Sequence, residues 1–132
     1  MRSWFLVTAA LLLVIGGPAS AQNRKCLHGS DETSSDRARR EKAVELAFQI
    51  NAAEGMTRRL GRAYAPLDQL FNVSKAPDGF RVQLHTDGTT YTLSIKDTID
   101  PCLYAVFSDQ GGDVYEATPV PDKGRVHLLP LK

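Results

Sequence analysis

Residues 80–95 read FRVQLHTDGTTYTLSI. Asp87-Gly88 stands between two runs that alternate apolar with polar residues, the strongest short-range hairpin signal. With these two as the loop residues, Thr86 faces Thr89, and Leu84 pairs with Tyr91, Val82 with Leu93 and Phe80 with Ile95. Every one of those inner pairs is apolar. The other face pairs His85 with Thr90, Gln83 with Thr92 and Arg81 with Ser94, and all of them are polar. A slip of one residue would put apolar side chains on both faces, so the register is strongly specified. One face of this hairpin needs cover from the rest of the chain.

The cover lies upstream. From Asp36 to Tyr64 the pattern is helical, with Ala43, Leu46, Ala47, Ile50, Ala53, Leu60 and Tyr64 on one stripe. Ser34, Ser35 or Asp36 is placed to cap it. Val44 and Phe48, four apart, lie to one side of the stripe and have two readings. They form a second packing face or an exposed apolar patch for a partner protein. Ala65-Pro66 ends the helix, Leu67, Leu70 and Phe71 suit a short helical turn, and Ala76-Pro77-Asp78-Gly79 turns into the hairpin. Asn72-Val73-Ser74 is a glycosylation sequon.

Downstream, Leu103 to Phe107 reads as a central strand and Val114 to Ala117 as its return. Pro119 and Pro121 bar that strand from continuing in a sheet interior, and Arg125 to Leu129 suits a short edge strand. The predicted fold class is α+β: one long N-terminal helix packed on an antiparallel β-meander of about four strands.

The 132 residues suffice for one domain, expected over 36–132, and 42% hydrophobic with 23% charged residues is an ordinary globular balance. A formal net charge of +1 argues against a nucleic-acid partner. Ahead of the domain, Arg2 is followed by an apolar run from Trp4 to Ile15, then Gly16-Gly17-Pro18 and Ala19-Ser20-Ala21. This predicts a secretory signal peptide over 1–21, and a periplasmic or secreted protein without a membrane span after cleavage. The alternative is an uncleaved anchor, for which the run is short. Residues 22–35 are polar and read as a flexible tail. In an exported chain Cys26 and Cys102 are expected to form a disulfide. The other reading of Cys26-Leu27-His28 is a metal site, although no second ligand pair has a usable spacing.

No catalytic constellation is legible. His28 falls in the tail, His85 on the polar hairpin face and His127 near the end, and no nucleophile elbow, metal-binding helix or phosphate loop occurs. Asp97, Asp100, Asp109 and Asp113 flank strand ends, where they are solvated turn residues or a calcium site of no EF-hand spacing. The expectation is a protein that is not an enzyme, with no cofactor and no metal.

Three stretches resemble the globular part of type IV pilin-like proteins, including type II secretion pseudopilins. They are AVELAFQINAAEGMTRRLGRAY over 43–64, APLDQL over 65–70 and YAVFSDQGGDVY over 104–115. The chain departs from that family in lacking its long apolar N-terminal helix behind a prepilin site. The resemblance implies the family's fold and a structural or protein-interaction role outside the cytoplasm, with an envelope or extracellular protein as partner. The alternative function is a periplasmic ligand-binding or inhibitor domain, which needs a concave pocket.

Overall fold

The structure is a computed structural model and describes residues 25–119 and 126–131. The expected signal peptide and a turn expected from the sequence at Asp122-Lys123-Gly124 lie outside the described residues. One helix, α1 (Ser34–Arg59), packs on a five-stranded antiparallel sheet. The strands are β1 (Phe80–Thr86), β2 (Tyr91–Asp97), β3 (Ala105–Asp109), β4 (Val114–Pro119) and β5 (Val126–Leu131), and each pairs with its sequence neighbour. The α+β meander expected from the sequence is present, with five strands rather than four.

Thr33 caps α1 by accepting the Asp36 N–H, one residue ahead of the expected capping positions. The helix stops earlier than its apolar pattern suggests. Gly61 N–H donates to Arg58 O and Arg62 N–H to Thr57 O, a Schellman arrangement that takes up the last carbonyls. Leu60 is therefore exposed at the helix end, and Tyr64 packs from the following segment instead of from the stripe. A short 3-10 helix, Leu67–Gln69, follows as anticipated.

The hairpin keeps its predicted faces but not its register. Thr86 pairs with Tyr91, Leu84 with Leu93, Val82 with Ile95 and Phe80 with Asp97. The loop therefore has four residues, Asp87 to Thr90. Its stability comes from side chains: an Asp87 carboxylate oxygen accepts the N–H groups of Thr89 at 2.8 Å and Thr90 at 2.7 Å, which replaces two rungs of the ladder. Gly88 alone of the two expected turn residues has positive φ, at 88°, and its carbonyl accepts the Tyr64 N–H. A shift of two residues preserves the face of every side chain, so the core is unaffected. What changes is that Asp97 joins the inner face opposite Phe80.

The core sits between α1 and the inner face. Ala43, Leu46, Ala47 and Ile50 meet Phe80, Tyr91, Leu93, Ile95, Tyr104, Val106 and Val114. Burying each large aliphatic residue of that group contributes about 1.5–3 kcal/mol. Ile99 and Arg39 close over Gly79, where a Cβ would meet Ile99 Cδ1 and lie 2.8 Å from Arg39 Nη2. β3 begins two residues later than the strand read from Leu103. Leu103 itself has φ 59° and points into solvent.

Candidate functional site

The stretch expected to be a flexible tail is docked from Lys25 onward. The disulfide forms between Cys26 and Cys102, with Cα atoms 5.2 Å apart, and the Leu27 N–H donates to Asp100 Oδ1. These two ties bring His28 into the core, beside the rings of Tyr104 and Phe80. Its Nδ1 lies 2.8 Å from Glu32 Oε1 and its Nε2 2.8 Å from Asp97 Oδ2. The polarity of residues 22–35 hid this docking, because the groups that satisfy it stand far away in sequence.

The two carboxylates continue into an ion-pair network. Arg39 Nη2 donates to Asp97 Oδ2 at 3.0 Å. Arg40 donates from Nε to Glu32 Oε1 and from Nη1 to Glu116 Oε1, both at 2.9 Å, and the Tyr104 hydroxyl donates to the same Glu116 oxygen at 2.6 Å. Burial pushes the Asp97 carboxyl up, but hydrogen bonds from His28 and the Ile99 N–H, with the Arg39 charge, outweigh it and hold the group below the usual carboxylate range. Glu32 is likewise held low against its burial by Arg40 and His28. Burial and the bond to Glu116 push the Tyr104 phenol far up. His28, Asp97, Glu116 and Tyr104 are buried and the two arginines partly so, and the assembly holds the N-terminal segment on the sheet.

Other sequence candidates fall apart in space. The metal reading of Cys26-Leu27-His28 is corrected: Cys26 is in the disulfide and His28 faces carboxylates. Asp97 and Asp100 are not solvated turn residues. Asp100 is buried and accepts the N–H groups of Leu27, Cys102 and Tyr104. Asp109 accepts the Gly111 N–H at its own turn, and Asp113 is exposed. Among the described residues no three His, Cys, Asp or Glu side chains are grouped to hold a metal ion. His85 is exposed on the outer hairpin face. Asn72 is exposed at φ 61° and the Ser74 N–H donates to Gln49 Oε1. Val44 packs partly buried against the core, while Phe48, one turn on, is 41% exposed.

Glu54 was not expected inside. It occupies the buried stripe of α1 at 0% exposure, where Oε2 accepts the Ala65 N–H at 3.1 Å and Oε1 has no partner. Burial raises its pKa above the ordinary glutamate value. The nearby Tyr91 phenol is pushed up to about 12, by burial first and then by the Glu54 charge. Tyr91 donates to Asn51 Oδ1, and the Asn51 amide donates to Gly112 O. This ties the middle of the helix to the β3–β4 turn.

The accessible site is a groove of about 820 Å³ at the C-terminal end of α1, walled by the helix and the segment from Arg62 to Asn72. Ala52, Ala53 and Pro66 help form it, and Met56, Leu60 and Phe71 stand over it at 56%, 64% and 81% exposure. Large apolar side chains are commonly exposed singly, but here three stand around one concavity. Phe48 does not line the groove. The sequence signal for it was present in Met56, Leu60 and Phe71, but the helical pattern assigned Leu60 and Phe71 to packing.

Among the described residues no helix is long and apolar enough to cross a membrane. Comparison of the chain with family models, with characterised proteins and with solved structures finds no match.

Proposed function

We propose that this chain is an exported, non-enzymatic interaction module of pilin-like architecture that binds another envelope or extracellular protein. The observation that carries the reading is the groove at the end of α1, with Met56, Leu60 and Phe71 exposed around it. The disulfide supports export, since such bonds persist in oxidising compartments. A rigid helix-on-sheet scaffold with its N-terminal segment clamped suits presentation of a fixed surface.

The test is site-specific photo-crosslinking in the native cell envelope. A benzoylphenylalanine at position 71 should give one discrete protein adduct, and the same group at the exposed position 83 should give none. Equal labelling at both positions, or none at 71, overturns the reading. A second reading, a small-ligand or inhibitor domain, draws on the groove volume, which falls in the range of ligand pockets. It predicts instead that a small molecule extracted with the protein protects Phe71 from labelling.

A further inference from the structure

Resting on the interaction reading, we infer that the groove at the end of α1 takes an acidic segment of a partner protein, one that carries large apolar side chains between carboxylates. The apolar half of the argument is the exposure of Met56, Leu60 and Phe71. The charged half is the set of arginines around them. Arg62 is the only charged residue lining the groove, and no carboxylate lines it. Arg58 stacks over the ring of Tyr64, a lining residue, with Cζ 5.1 Å from the centroid, and donates from Nη1 to Arg62 O. Arg59 follows Met56 by three positions and so neighbours it on the helix surface. Among the described residues none of the three is in an ion pair, whereas Arg37, Arg39 and Arg40 at the other end of the helix all are.

Two of these cations have a local role. Arg58 and Arg59 occupy the last turn of α1 and offset the partial negative charge of the helix C-terminus. Arg62 lies past the helix end, beyond that duty. Glu54 lies beneath the groove but is fully buried, and it presents no charge to a ligand at the surface. The helix-end side of the groove is therefore positive beside an apolar floor, while Asp68 stands exposed next to Gln69 on the opposite wall. Complementary charge steers association and fixes register, while the apolar contacts supply most of the affinity. A flat anionic bilayer matches the charge but not the shape, because the surface is concave and walled on two sides.

The experiment uses the purified, disulfide-bonded protein to select from a displayed library of random peptides. Enrichment of Asp and Glu interleaved with Leu or Phe is expected. A selected peptide should bind at least about tenfold more weakly to the Leu60→Ser/Phe71→Ser variant. It should also weaken with added salt. Arg59→Gln/Arg62→Gln should weaken it and flatten the salt dependence, and Arg59→Lys/Arg62→Lys should restore both, with every variant still folded in thermal melts and only the Gln pair melting slightly lower for the lost helix-end charge. Selected peptides without acidic enrichment, or ones that bind the Leu60→Ser/Phe71→Ser variant equally well, overturn the inference. So does tight, Phe71-dependent binding to phosphatidylglycerol vesicles with no peptide selected, which assigns the surface to a membrane. A position-71 protein adduct in the envelope alongside non-acidic selected peptides leaves the interaction module standing and removes only the partner chemistry.

Discussion

Nε2 of His28 lies 2.8 Å from Oδ2 of Asp97, and both side chains are sealed from solvent although 69 residues separate them in the chain. His28→Ala removes the group that both Asp97 and Glu32 face and leaves a void beside Tyr104. Breaking a buried charged contact costs about 3–5 kcal/mol, and chemical denaturation at neutral pH should show a loss of that size. The acid limb adds a second readout. Asp97 and Glu32 have folded pKa values below their ordinary 3.8 and 4.5, so their contribution is fully present above those values and is lost as pH falls below them. Asp97→Asn should flatten the acid limb of the stability curve. An unchanged limb would show that these carboxylates are not held low by His28 and the arginines.

The disulfide works on the same segment from the other side. It closes a loop of 76 residues, worth ~4 kcal/mol in the chain-entropy treatment. Reduction, or Cys26→Ser with Cys102→Ser, should lower the melting temperature. It should also expose the 25–33 stretch to hydrogen exchange before the sheet opens. Uniform exchange across the chain would mean that the segment and the sheet unfold as one unit.

Glu54 should give the opposite pH slope. Its folded pKa is raised, so its contribution is fully present below the ordinary 4.5 and declines as pH rises through the folded value. Glu54→Gln keeps an oxygen for the Ala65 N–H and carries no charge. The variant should match the parent within about 1 kcal/mol near pH 4 and gain on it as pH increases. A constant difference across pH would refute burial of the carboxyl as the cause.

Val44 and Phe48 should separate cleanly. Val44→Asp places a charge against the core and should destabilise by about 2 kcal/mol or more. Phe48→Ser changes a side chain that is 41% exposed and should stay within about 1 kcal/mol. Equal losses from the two, measured by urea melts, would make both of them core residues.

The sequence by itself determined the layers. Period-two alternation on either side of Asp87-Gly88 assigned every hairpin side chain to its face, and the three- and four-residue spacing of Ala43, Leu46, Ala47 and Ile50 assigned the helix that covers it. The cysteine pairing was legible from the number of cysteines together with the expectation of export. Alternation is blind to the hairpin register, which local side-chain bonds from Asp87 shifted by two residues without changing any face. Tertiary structure alone decided the burial of His28 and Glu54. A polar residue goes inside only when its partners are there to meet it, and those of His28 and Glu54 are set by how strands and loops close in space. The groove emerged for the same reason. Whether Leu60 and Phe71 were core or surface depended on where the helix stopped and how the segment after it turned back.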